Sequence, residues 1–287
     1  MRISIINYLA CPVCRAEFLL STYKKTKERI IDGELKCKKC GKSFYIKNGI
    51  ACFVSPDKKS TEDMKKLRGI TIKQEIPKTW IKLFSKEEYS ALQKEWNWML
   101  SVVKKDKNAV HLDFATGTGR FLRNIIYRTN GEIIALDFGY FTCQELIYFL
   151  KKIKKYRRAS VVCADARKMP FKNEVFNSVS SWAGFGEQKM GRAIKEVRRV
   201  LKSGAYFAAS GLHYQKESKS FLLAKRHHIN FVNKEAVMRT FKRANFRNIE
   251  HKVFFRGKWN EKESYLPIFG DSYSTFAIRV QKQIIKK

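Results

Sequence analysis

The period of the apolar residues changes several times along the chain, and each change marks a predicted element. Over residues 85–103 they recur at three- and four-residue steps, as Tyr89, Leu92, Trp96 and Met99, the repeat of an amphipathic helix, with Ser85 standing where an N-cap belongs. From Asn108 onward short apolar runs alternate with helical stretches. Residues 110–114, 133–136, 160–163, 176–182 and 205–211 read as strands, and 120–128, 141–154, 190–201 and 234–244 as helices. Two late strands, 249–254 and 275–280, complete the series. This alternation predicts an α/β fold, a mostly parallel sheet with helices on both faces. No internal repeat is visible, which excludes a solenoid.

The first 56 residues have a different texture. Short strand-like runs at 17–23, 28–36 and 43–46 are punctuated by Gly33, Gly41 and Gly49, a β-rich pattern too small to bury a core of its own. Residues 56–60 read as a linker. The predicted organisation is a small module over 1–56, a linker and helical segment over 57–107, and a main domain over 108–287.

Composition narrows the partners. The 287 residues include 59 Lys+Arg against 26 Asp+Glu, a formal charge of +33 that points to a polyanion such as RNA, although basic residues can also simply solvate a surface. No apolar run approaches the roughly 18 residues of a spanning helix, and residues 3–9 are too short for a signal peptide. A cytoplasmic location without a membrane partner is expected. Of seven cysteines, four form close pairs while Cys52, Cys143 and Cys163 stand singly, a distribution unlike a disulfide framework.

Cys11-Pro-Val-Cys14 and Cys37-Lys-Lys-Cys40 are two C-x2-C knuckles separated by 22 residues. Four thiolates in this spacing suit a tetrahedral zinc ion with no position left for water, so the metal is expected to be structural. The flanking Tyr8-Leu-Ala, Gly33-Glu-Leu-Lys and Phe44-Tyr-Ile46 resemble the ribbons of small activator proteins of tRNA and rRNA methyltransferases. A similar ribbon precedes the catalytic domain of bacterial rRNA guanine-N1 methyltransferases, where one ligand is often histidine. The likeness makes the ribbon a candidate surface for a protein partner.

Residues 109–122 run from a strand through Gly117 and Gly119 into a helix, where a backbone without Cβ atoms can approach a ligand. Asp137 ends the next strand, where a carboxylate can accept hydrogen bonds from both hydroxyls of a ribose. A dinucleotide site would want a third glycine where Leu122 stands. The stretch Asp113-Phe-Ala115-Thr-Gly117-Thr-Gly119 resembles the first motif of class I S-adenosylmethionine (SAM)-dependent methyltransferases, with Ala115 in place of the first glycine.

Further stretches follow in that family's order. Asp165 and Ala166 resemble its third-strand motif, 176–182 its fourth strand with Asn177 in place of aspartate, and 194–204 the helix and turn before strand five. The resemblance, spanning about 108–281, implies a Rossmann-like seven-stranded sheet with SAM as cofactor. It implies that Asp113 orders the loop at the cofactor's amino group, that Asp137 and Phe138 hold ribose and border adenine, and that Asp165 and Ala166 meet adenine. The end of the fourth strand, Trp182, borders both the departing methyl group and the acceptor.

Methyl transfer from a sulfonium is chiefly a matter of positioning, so no particular catalytic residue is required and none is assigned. Trp182, Glu187, His213 and Tyr214 are candidates at the expected mouth, and Arg256-Gly-Lys-Trp259 mixes cations with an aromatic as single-stranded nucleic-acid surfaces do. The expected function is SAM-dependent methylation of structured RNA. Two alternatives are a small-molecule methyltransferase like those of ubiquinone and menaquinone biosynthesis, and a non-catalytic methyltransferase partner. Oligomeric state is left open.

Overall fold

The computed structural model describes residues 1–54, 84–184, 190–229, 231–262, 264 and 266–284. The linker expected at 56–60 and the candidate Glu187 lie outside the described residues. The N-terminal segment forms a short 3-10 helix (Ile3–Tyr8) and four strands, β1 (Phe18–Lys25), β2 (Ile30–Cys37), β3 (Ser43–Lys47) and β4 (Ile50–Cys52). Helix α1 (Lys86–Leu100) begins at Ser85 with a full capping box: the Ser85 hydroxyl accepts from the Glu88 amide, and the Glu88 carboxylate accepts from the Ser85 amide.

Beyond α1 the chain alternates as its pattern predicts, through β5 (Val110–Phe114), α2 (Arg120–Arg128), β6 (Glu132–Asp137), α3 (Tyr140–Lys152), β7 (Ala159–Cys163), β8 (Phe176–Ser181) and α4 (Met190–Val200). It continues through β9 (Leu201–Tyr214), α5 (Lys219–Arg226), α6 (Lys234–Arg243), β10 (Phe246–Lys258) and β11 (Ser272–Lys282). The strand order β7-β6-β5-β8-β9-β11-β10 has five parallel strands and an antiparallel β11 beside β9, the seven-stranded arrangement expected. One core lies under α4 and α6, the other under α1, α2 and α3. Asn177, which stands where the family has aspartate, is bonded here: its Oδ1 accepts from the Val110 amide at 3.0 Å and from Lys202 at 3.1 Å.

The ribbon does not stand apart from this sheet. Residues 50–52, which lack the alternation of a half-buried strand, form β4 and pair in parallel with β7, Ile50 opposite Val161 and Cys52 opposite Cys163. All eleven strands thereby make one sheet. Without β4, strand β7 would be an open edge with unpaired backbone groups. The junction is fastened on both sides. Arg29 donates to the carbonyls of Tyr156 and Ala159, and Arg15 donates to the Met169 carbonyl and pairs with Glu196 at 3.0 Å. Ile5, Leu9, Leu35 and Ile46 of the ribbon share the core of Leu112, Phe171 and Ile194. Among the described residues no helix is long and apolar enough to cross a membrane.

Candidate functional site

The two cysteine knuckles close onto one point. Cys11 and Cys40 Sγ are 3.7 Å apart, Cys14 and Cys37 Sγ 3.4 Å, and all four sulfurs lie within 4.8 Å of one another. A tetrahedron of zinc–sulfur bonds of about 2.3 Å has edges near 3.8 Å, so the four fit that ion. The knuckles are alike in backbone as well: Arg15 and Gly41, each just after the second cysteine, have φ of 65° and 70°, and their amides return to the carbonyls of Cys11 and Cys37.

At the C-terminal ends of β5, β6 and β7 a cleft is lined by Phe114, Ala115, Leu136, Asp137, Phe138, Ala164, Asp165, Ala166, Arg167 and Gly184. Asp137 organises it: Oδ2 accepts from the Gly117 amide at 2.8 Å and Oδ1 from the Gly139 amide at 3.1 Å. Burial pushes its carboxyl above the usual range while these amides oppose the rise. Asp165 reaches the cleft but is also engaged by Arg167, whose backbone and guanidinium both donate to it; burial raises its carboxyl and Arg167 more than reverses this. Gly119 has a φ of 90°, a conformation that favours glycine, and a Cβ there would lie 2.6 Å from Leu146 Cδ1.

Ala115 has a φ of 49°, the left-handed conformation that its glycine counterpart would adopt without strain. Ala115→Gly is therefore expected to raise unfolding free energy by up to about 1 kcal/mol, measured by urea titration; a fall would show that the methyl group earns more in packing than the backbone loses.

Asp113 is placed beneath the cleft, not in its lining. It is buried, accepts from the Ser180 and Thr116 hydroxyls at 2.5 and 2.7 Å, and is pushed up to about 7 by burial. Behind it, His111 bonds Ser180 Oγ through Nε2 at 2.9 Å and Ser178 Oγ through Nδ1 at 2.7 Å. With Ser180 donating to Asp113, the proton of this neutral imidazole sits on Nε2. The serine-rich run of β8 was the available signal for this polar file, because a central parallel strand otherwise reads as continuously apolar.

Trp182, expected at the border of methyl group and acceptor, is absent from the lining of the cofactor cleft. It lines a second cavity with Phe84, Glu88, Leu92, Glu95, Ala183, Ser210, Gly211, Leu212, Phe255, Trp259, Tyr273 and Thr275. Its indole packs edge-on against Trp96 at 5.4 Å and donates to Glu95 Oε1 at 3.0 Å, which turns the ring toward α1. Trp259 belongs here too, half-buried and edge-on to Tyr273 at 5.2 Å, while Arg256 and Lys258 of the same run stay exposed. The linings of the two cavities are adjacent in the chain, Ala183 in the second and Gly184 in the first. A Cβ on Gly184 would lie 2.3 Å from Ser181 Oγ and 2.7 Å from Ala115 Cβ.

Glu88 and Glu95 escaped the sequence reading because the apolar stripe of α1 drew attention to Trp96. Their spacing with Leu92, four and then three residues, puts all three on one helical face. His213 and Tyr214 line neither of these cavities but a third, shallower one. His213 donates from Nδ1 to the Phe231 carbonyl and meets His251 Nε2 at 2.8 Å, with its pKa lowered to about 4 by burial and by His251.

Comparison with known proteins agrees with this geometry. Residues 112–204 match the family described as a methyltransferase domain, and residues 4–49 the Trm112p-like protein family. The methyltransferase domain match thus follows a segment that matches a Trm112p-like protein. A curated relative, sterol methyltransferase-like 1 of Botryococcus braunii, is 27% identical over 194 residues, 60% of this chain and 49% of that protein. The chain thus spans about half the length of the curated relative it matches.

The methyltransferase domain also resembles solved structures. Geranyl diphosphate C-methyltransferase from Streptomyces coelicolor A3(2) superposes with a TM-score of 0.55 at 8% identity, over 69% of this chain and 78% of that one. Phosphoethanolamine N-methyltransferase 2 of Haemonchus contortus, solved with S-adenosyl-L-methionine, gives 0.50 at 16% identity, over 66% and 53%. At these identities the likeness is one of fold, and the acceptor must be argued from this chain's own cavities.

Proposed function

We propose that this chain is a SAM-dependent methyltransferase whose acceptor is a small, largely apolar molecule held in the second cavity. The observation that carries the reading is a pair of cavities whose linings are adjacent in the chain at Ala183 and Gly184, one lined by Ala115, Asp137, Phe138 and Asp165, the other walled by aromatic side chains. In this reading Asp137 binds the ribose hydroxyls, Phe138, Asp165 and Ala166 border the adenine, and the turn through Ala115, Gly117 and Gly119 takes the amino-acid end, with Asp113 bracing it from below. Trp182 belongs to the acceptor side. When bound, SAM supplies an electrophilic methyl group on sulfur. The protein aligns the acceptor, and the apolar walls exclude water from the junction.

The zinc ion in this reading is structural: Cys11, Cys14, Cys37 and Cys40 hold it, and it ties the ribbon into the sheet edge. A partner protein that paired with β4 would have to displace β7, so any protein contact through the ribbon uses another face. The expected location is the cytoplasm.

A second reading, methylation of structured RNA, is favoured by the formal charge of +33. One experiment separates the two. Purified protein is incubated with tritiated SAM and, in parallel, total RNA and the organic-soluble metabolites of a strain lacking the gene. Label in the metabolite fraction alone is the expected result. Label in RNA would overturn the small-molecule acceptor in favour of the second reading.

A further inference from the structure

The second cavity has a charge character opposite to that of the molecule. Among the described residues its lining has two carboxylates, Glu88 and Glu95, and no lysine, arginine or histidine, although the chain carries 59 Lys+Arg. Glu95 is 3% exposed. Its hydrogen-bond donors are the indole of Trp182 and the hydroxyls of Ser210 and Thr275, all neutral, and among the described residues it forms no ion pair. Glu88 accepts from Tyr273 Oη at 3.1 Å, again a neutral donor. Taking an ionised carboxylate out of water without a cation is costly, so such a group either holds a proton or waits for a positive partner. Burial does push the Glu95 carboxyl up, to about 7, against the pull of its three donors.

The walls add a second preference. Trp182, Phe255, Trp259 and Tyr273 present aromatic rings around the two carboxylates, and ring faces attract cations, most strongly where water is excluded. The same arrangement repels anions: a phosphate or carboxylate entering here would meet two acidic groups and, among the described residues, no basic side chain in the lining. Among those residues an RNA backbone or a diphosphate has no counter-charge in this cavity, whatever the outer surface offers.

We propose that the second cavity is a site for an apolar molecule bearing a protonated amine, with the ammonium group against Glu95 and the hydrocarbon body between Trp182, Leu212, Phe255 and Trp259. This rests on the reading of the second cavity as the acceptor site, and it names the acceptor's chemical class. Three features select the ligand together. Glu95 supplies the charge, the aromatic rings supply cation-tolerant walls, and Leu92 and Leu212 supply apolar surface.

The test is binding of three ten-carbon probes to the full-length protein saturated with S-adenosylhomocysteine, followed by isothermal titration calorimetry and by tryptophan fluorescence. The probes are decylamine, decanol and decanoate, alike in apolar body and different in head group. Decylamine is expected to bind at least about tenfold more tightly than either of the others. Glu95→Gln, which keeps the shape and the Trp182 contact, is expected to remove that advantage while leaving decanol affinity unchanged.

The ligand comparison needs no variant, so a misfolded variant would not blunt the test. Decanol or decanoate equal to decylamine, an advantage that survives E95Q, or no probe binding at all would each overturn the proposal. Binding of S-adenosylhomocysteine is read first and separately. Its presence without amine selectivity sinks the amine assignment and leaves the cofactor reading standing, whereas its absence sinks the cofactor reading itself.

Discussion

Asp137→Ala is expected to weaken binding of S-adenosylhomocysteine by about 100-fold or more, because two charge-assisted hydrogen bonds, each worth about 1.5–3 kcal/mol, would be lost to a ribose at this position. The aspartate also holds the apo turn together. Its two oxygens accept from the amides of Gly117 and Gly139, and without them those N–H groups lose their partner and the glycine turn loses its anchor to β6. Asp137→Asn is the informative companion: its single side-chain oxygen can satisfy one amide, so it should fold normally and still bind poorly. Calorimetric affinities within threefold of the wild type for both variants would remove Asp137 from the cofactor site.

Stripping the metal from the ribbon is expected to lower the melting temperature of the whole chain, not of the ribbon alone. A structural zinc site can contribute about 10 kcal/mol or more to folding its module, which has little core of its own. Here the module also covers the β7 edge and contributes Ile5, Leu9, Leu35 and Ile46 to the core beneath the main sheet. Loss of a modest part of that support, about 3–4 kcal/mol, would shift the transition by roughly 10 °C in a chain of this size. Thermal unfolding with and without a strong chelator, together with metal analysis showing one zinc per chain, measures this. A separate low-temperature ribbon transition with the main one unmoved would show that the two parts are energetically independent.

The interdependence of ribbon and sheet also bears on how the molecule is read. Strand β4, which follows directly on the Trm112p-like match, is paired with β7 of the same polypeptide. The opposite edge, β1, keeps Leu19 and Tyr23 exposed. The strongly basic composition then acts on the outer surface, where it governs solubility and encounter, while the acidic second cavity governs what can enter. Charge summed over a sequence cannot distinguish the two, because it carries no information about which charges line a cavity.

Much of the molecule was legible from local pattern. The 3.6-residue repeat and Ser85 located α1, two C-x2-C pairs located the metal site, and the acid–glycine turn with Asp137 at the following strand end located the cleft, since each depends on residues close in sequence. The Rossmann-like, seven-stranded character of the main sheet followed from the resemblance those motifs carry. What only the tertiary structure decided depends on contacts between residues far apart in the chain. Strand β4 is three residues long and becomes a strand through its pairing with β7, more than a hundred residues away. Glu95 looks like one more surface acid on a helix until Trp182, Ser210 and Thr275 close over it. Glu88 and Glu95, ordinary helix acids in sequence, are brought to the second cavity by the packing of α1 against β9, β10 and β11.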